Sequence, residues 1–158
     1  MPIDPQTQRC ILGRFATGVT VVTTGGGGAA HGMTANAVAS LSLDPPLVLV
    51  AVDRGAQMHA QMTACRCFAV NVLSEEQEPL SRRFATRGPK EFGDLNVTIS
   101  ETGAPILADS LAWVDCRLTD VLSGGDHDIF VGQIVAGDAR DGRPLLFFAG
   151  KYGRLAEE

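Results

Sequence analysis

Positive charge is in short supply in this chain: 13 Lys and Arg stand against 18 Asp and Glu, a net charge of −5. That balance excludes nucleic acid as a bulk partner, because backbone phosphates need a basic face. A local cluster of Arg still suits a small anion. Long apolar runs are missing too. None approaches the roughly 20 residues that cross a bilayer, so no membrane association is expected. Met1 to Arg9 is polar and lacks the apolar stretch of a signal peptide, which makes the cytoplasm the expected location. Histidine is scarce, and His31, His59 and His127 form no short-spaced ligand pair. Of the four cysteines, Cys65 and Cys67 are too close for the usual redox or zinc spacing, and neither Cys10 nor Cys116 completes a second pair. No metal site is expected, and all four thiols read as buried structural groups. No Ser/His/Asp arrangement, paired-carboxylate signature or nucleophilic cysteine context stands out.

What is present is β-rich. The 158 residues, 45% of them apolar, suit one domain over 1–158 with a full core. A short helix is expected from Asp4 to Ala16, stopped by Gly18. Val19 to Thr24 is strongly β-prone. Gly25 to Gly28 reads as a hairpin tip whose return strand is Gly32 to Ser40. The same glycines spell G-x-G-x-x-A at Gly25, Gly27 and Ala30. A dinucleotide loop needs a helix next, and His31-Gly32-Met33-Thr34 looks like a strand, so the hairpin is favoured. The bare stretch Gly25 to Ala30 is expected to be mobile. Leu47 to Val52 is a buried strand. Ala56 to Ala64 is helical with Met58 and Met62 core-facing at i, i+4. Cys67 to Leu73 is a strand. Ser74 to Gln77 has the form of a capping box, with the regular helix starting near Pro79 and carrying Leu80 to Phe84. Further strands are expected at Val97 to Ile99, Leu111 to Thr119, Ile129 to Ala136 and Leu145 to Phe148. Many short strands with hairpin-like turns predict an antiparallel barrel rather than a βαβ sheet.

Three features could carry chemistry. The run Thr34 to Ser42 is small and polar, and then Leu47 to Val50 turns apolar and β-branched. Small side chains admit a flat ligand to the backbone, where amides and hydroxyls meet its polar edge. Thr34, Asn36, Ser40 and Ser42 read equally well as the polar face of an alternating strand. Asp53-Arg54-Gly55, at a strand end before a helix, offers a guanidinium and free amides to an anion, or a solvated cap. Ser123 to Asp128 is a turn presenting His127. Its flanking carboxylates, Asp126 and Asp128, would favour a proton on the imidazole near neutral pH, or simply satisfy backbone groups. Arg82, Arg83 and Arg87 read as a solvated face unless a phosphate is near. The residues alone support a small β-rich domain binding a flat, polar-edged, anionic ligand, and they do not name it.

Ordered segments then carry a resemblance over Leu12 to Leu155. They are Phe15 to Thr24, Gly32 to Ala37, Ser40 to Val48, Phe68 to Leu73, Ser81 to Ala85, Gly124 to His127 and Pro144 to Phe148. Together they resemble the short-chain flavin reductases that serve two-component flavin monooxygenases. The resemblance implies a split antiparallel β-barrel and a homodimer with flavin near the subunit interface. It implies reduction of FMN or FAD by NADH or NADPH, and a flavin-dependent monooxygenase as partner. Thr34, Ala35, Asn36 and Ala37 would line the isoalloxazine, with Ser40 and Leu41 continuing the wall. Asp53, Arg54 and Gly55 would lie by the ribityl-phosphate, and Arg82 and Phe84 by the phosphate or adenine end. His127 would face the nicotinamide as the catalytic residue, and Tyr152 would help close the site. The hydroxyl that relatives often carry after Arg54 is missing from Gly55-Ala56-Gln57, so phosphate contacts would fall to amides, Arg54 and Gln57. A flavin-binding module that does not release reduced flavin is the alternative.

Overall fold

Two edges of one curled sheet meet at Asn36 and Ala37. The structure is a computed structural model and describes residues 1–25 and 30–158; much of the hairpin tip, with its expected mobility, lies outside the described residues. Helix α1 (Pro5–Leu12) is followed by β1 (Thr17–Gly18), β2 (Thr20–Thr24), β3 (His31–Ala35), β4 (Val38–Leu43) and β5 (Pro46–Asp53). Then come α2 (Gln57–Cys65), β6 (Cys67–Val72), a 3-10 turn at Glu75–Gln77 and α3 (Glu78–Phe84). The chain continues through β7 (Val97–Ile99), β8 (Pro105–Leu107), β9 (Ala112–Gly124), β10 (His127–Ala139), β11 (Leu146–Phe148) and β12 (Lys151–Gly153).

Seven strands form the main antiparallel sheet in the order β3-β2-β6-β9-β10-β5-β4. Its outer strands, β3 and β4, are joined by Asn36 and Ala37 alone. Six spacings of about 4.8 Å would put the edges of a flat sheet roughly 29 Å apart, whereas three Cα steps reach at most about 11 Å. The sheet therefore curls until its edges adjoin. Among the described residues no ladder closes β3 onto β4, which makes this a split barrel.

Period-two alternation sorts β2 between two cores. Val22 faces α2, where Met58, Met62, Phe68 and Phe130 fill the barrel. Val19 and Val21 flank it and face Leu73, Phe84, Leu107 and Leu145 on the α3 side. Burying each large side chain contributes about 1.5–3 kcal/mol. Asn71 crosses this region without an unmet amide: Nδ2 donates to the Val21 carbonyl (3.0 Å) and Thr23 Oγ1 (3.1 Å), and Oδ1 accepts from the Leu107 amide (2.9 Å).

Several expectations are corrected. Helix α1 ends at Gly13, not Gly18, because the Gly13 amide already closes on the Arg9 carbonyl at 2.8 Å. Its start is fixed by Asp4, whose Oδ1 accepts from the Thr7 amide at 3.0 Å. No residue of α1 is buried, so the Cys10 thiol is exposed; Cys65 is half-buried, and only Cys67 and Cys116 are buried as expected. Burial pushes the Cys116 thiol up to about 12, so it is inert as a nucleophile. The single return strand Gly32 to Ser40 is two strands, broken at the seam. Strand β9 runs on to Gly124 at the shared turn, β10 reaches back to His127 there and on to Ala139 at its far end, and β8 and β12 are additional. Met58 and Met62 face the core, and the capping box and the start of α3 lie where the sequence places them. No described helix is long and apolar enough to cross a membrane.

Candidate active site

The seam of the barrel opens into a groove. At one end a cleft of about 540 Å³ lies between the start of β3 (His31, Gly32, Met33), the β5–α2 connection (Asp53, Gly55 to Met58) and the end of α3 with its following loop (Phe84 to Gly88, Lys90). At the other, a cleft of about 400 Å³ is lined by Val19, Met33 to Asn36, Ser81, Ala85, Phe147 and Tyr152. Met33 and Ala85 line both, so the two clefts are continuous along β3. Each volume lies in the range of small-molecule sites. The groove depends on a close approach at its floor. A Cβ on Gly32 would lie 2.7 Å from the Phe84 ring, and Phe84 is itself buried and tilted against Phe92 at 5.3 Å.

The far wall is built by polar contacts between elements. Thr34 Oγ1 donates to the Ser81 carbonyl at 2.5 Å, Ser81 Oγ pairs with Tyr152 Oη at 2.7 Å, and Thr20 Oγ1 donates to the Ala35 carbonyl at 2.6 Å. Tyr152 stands edge-on to Phe147 at 5.4 Å, and the Arg82 guanidinium lies over its ring at 4.8 Å. The Thr34 hydroxyl proton is thus committed to α3. What β3 offers a ligand is its backbone: an edge strand leaves alternate N–H groups unpaired on its free side.

The near cleft is basic. Lys90 and Arg87 line it, with the Lys90 ammonium held by the Thr86 carbonyl and by the Gly88 carbonyl at 2.9 Å. His31 is buried, and that burial, then Lys90, pushes its imidazole below the usual value. Helix α2 starts here without a capping side chain; the His59 amide closes on the Ala56 carbonyl at 3.1 Å, and the preceding first-turn residues, Gln57 and Met58, line the cleft. Further back the amides are already used. Gly55 N donates to Asp53 Oδ1 (2.7 Å), Ala56 N to the Asp53 carbonyl (3.0 Å) and Arg54 N to the Asp126 carbonyl (3.1 Å). The free amides expected at Asp53-Arg54-Gly55 therefore lie one turn later.

His127 opens β10 opposite Asp53 of β5; Asp53 lines the near cleft, and His127 itself lies outside the lining of both clefts. Its Nδ1 is 2.7 Å from Asp126 Oδ1, and that bond, with the imidazole beside it, holds the Asp126 carboxyl below its ordinary value. Only one of the two flanking carboxylates serves His127. Alternation along the strand turns Asp128 to the other side, where it meets His59 and Arg54.

A model of the flavin reductase like domain matches residues 12–156. The chain belongs to that family. It is 42% identical over 151 residues to the reductase subunit HsaB of a flavin-dependent monooxygenase from Rhodococcus jostii, covering 95% of this chain and 77% of that one. It is 42% identical over 150 residues to the FMN reductase (NADH) SmoA of Agrobacterium fabrum, covering 95% and 86%. Among solved structures, the NADH:FAD oxidoreductase of Streptomyces globisporus superposes with a TM-score of 0.90 at 39% identity, covering 99% of this chain and 98% of that one.

In this flavin reductase the groove gathers Thr34, Ala35, Asn36 and Tyr152 at one end and Asp53, Gly55 and Phe84 at the other. Ala37, Ser40 and Leu41 follow on the seam and edge strand β4, outside both linings. Arg82 backs Tyr152 from outside, and the Arg54 side chain turns away to the β9–β10 hairpin. His31, Met33, Ser81, Ala85, Lys90 and Phe147 line the groove without having been singled out in the sequence. His31 and Met33 adjoin the quoted Thr34 run, which was the available signal. Arg87, read from the sequence as solvated unless a phosphate is near, lines the basic cleft, and Lys90 sits in the same charged loop with no periodicity to mark it.

Proposed function

We propose that this protein oxidises NADH and passes the reducing equivalents to free FMN or FAD, which leaves for a partner flavin-dependent monooxygenase. The observation that carries the reading is the continuous groove, neutral and backbone-lined at one end and basic at the other, in a chain of the flavin reductase family. A flat ring with a polar edge fits the β3 end, and a ribityl-phosphate fits Lys90, Arg87 and the uncapped start of α2. Bound flavin supplies the redox chemistry, accepting hydride at its ring. The protein's residues orient and hold charge. The free-edge amides of β3 meet the polar edge of the ring, where they stabilise negative charge on it. Tyr152, held by Ser81 and Phe147, walls the ring end. His127 approaches the nicotinamide side, with its ring oriented by the Nδ1 contact to Asp126. NADH rather than NADPH is the favoured donor, in line with the activities named for the relatives.

The resemblance also supports a homodimer. Leu41 and Leu43 are exposed on the edge strand β4, and a second subunit covering them would bury that edge next to the seam. The test is NADH oxidation by purified protein with FMN, FAD or no flavin added. Turnover that rises and saturates with flavin supports the reductase. Flavin binding without NADH or NADPH oxidation supports the binding-module alternative.

A further inference from the structure

The resemblance puts Arg54 beside the flavin phosphate, but its side chain makes a different set of bonds. The backbone N–H of Arg54 donates to the Asp126 carbonyl (3.1 Å), Nε donates to Asp128 Oδ1 (3.0 Å) and Nη2 donates to Ser123 Oγ (2.6 Å). One residue thus grips the turn and both strands of the β9–β10 hairpin. On the far side, Asp128 Oδ2 is 2.7 Å from His59 Nε2, and the His59 ring stands edge-on to the buried Phe130 at 5.0 Å. The carboxylate of Asp128 therefore ties Arg54, in the β5–α2 connection, to α2 itself. These bonds add to the β10–β5 ladder, which reaches His127 opposite Asp53, at a hairpin end where β9 is exposed from Thr119 to Gly124 and is not set by core packing.

We infer that Arg54 is a positioning residue for His127, acting through Asp128 and Ser123, and not a ligand of the flavin phosphate. The inference rests on the nicotinamide-side reading of His127 given above. Its geometric basis is that His127 lies between the two residues the clamp holds, Asp126 and Asp128, while Arg54 is followed directly by Gly55 and Ala56, which line the basic cleft. The clamp fixes the hairpin that carries the imidazole relative to the β5–α2 connection, whose Asp53 pairs with His127 and whose Gly55 and Ala56 line the basic cleft. A planar fork suits the task, since it bonds a carboxylate and a hydroxyl at once.

The test uses the intact protein and four variants: Arg54→Ala, Arg54→Lys, Asp128→Asn and His127→Ala. Arg54→Ala should raise the KM for NADH by roughly tenfold, as expected when a group near the reaction is displaced by a fraction of an ångström. The FMN dissociation constant should move by less than about twofold, and amide exchange across the hairpin should speed up. Combined with His127→Ala, Arg54→Ala should add less than about twofold, because residues acting through one another are not additive. Arg54→Lys should recover part of the loss. Asp128→Asn keeps the side-chain shape and should move the same parameters in the same direction even if Arg54→Ala folds poorly. Weakened FMN binding with unchanged NADH kinetics would make Arg54 a phosphate ligand and overturn the inference. Multiplicative losses in the double variant would also overturn it. If His127→Ala alone left NADH kinetics unchanged, the reading of His127 would fall, and faster hairpin exchange in Arg54→Ala would show that the clamp itself survived.

Discussion

Three side chains, Lys90 and His31 in the basic cleft and His127 on the adjoining strand, carry separate predictions. Lys90 lines the basic cleft beside Arg87 and is proposed to meet the flavin phosphate. Lys90→Ala should weaken FMN binding roughly tenfold through loss of a charge-assisted hydrogen bond. It should leave riboflavin, which has no phosphate, bound as before; flavin fluorescence titrations check both. His127→Ala should cost about tenfold or more in NADH use and much less in FMN affinity, and steady-state kinetics beside a binding titration separate the two. His31 carries a pH signature. Burial, then Lys90, lowers its folded value, so the unfolded chain takes up the proton at higher pH than the folded one. The stabilisation is present above the ordinary histidine value of about 6.5 and is lost as pH falls toward the folded one. The thermal midpoint should therefore drop between about pH 7 and pH 5, and His31→Gln should flatten that drop. An unchanged slope in the variant would remove His31 as its source.

At the scale of elements, the groove floor is where β3 meets α3. Gly32→Ala drives a Cβ to 2.7 Å from the Phe84 ring, an overpacking expected to cost about 1–3 kcal/mol. Calorimetry should show a midpoint lowered by roughly 2–4 °C for each kcal/mol, and Phe84→Leu in the same chain should restore part of it. The elements legible in the sequence were those whose burial is dictated by their own residues. Leu47 to Val52 is apolar throughout and forms the body of β5, and Met58 and Met62 at i, i+4 anchor α2. Elements whose pairing is dictated by partners were not legible. β12 holds Lys151 and Tyr152 in register against Phe148 and Phe147, and β8 opens with Pro105, an unpromising strand residue. The polar ends of β9 and β10 extend because each pairs with the other. The site followed the same rule. Thr34 to Asn36 announced itself as a run of small polar residues, whereas Arg87 and Lys90 reach the cleft only through the path of the loop after α3. Arg54 was legible as a residue of interest, but its partners, Ser123 and Asp128, lie about 70 positions away.

Across the whole molecule, the barrel seam explains why the binding groove and the exposed edge lie together. Strands β3 and β4 are both edges, joined at Asn36 and Ala37, and the groove runs along one of them. A second subunit covering β4 should give a particle of twice the chain mass by light scattering, and Leu43→Asp should shift it toward the monomer with weaker flavin binding. A monomeric parent protein would contradict that arrangement. The central claim is that flavin is reduced here and then leaves. The most direct measurement is anaerobic reaction of excess NADH with FMN in large molar excess over protein, followed by ultrafiltration. The account predicts that all of the flavin becomes reduced and passes the filter. Reduction that stops at one flavin per chain, retained with the protein, would contradict it.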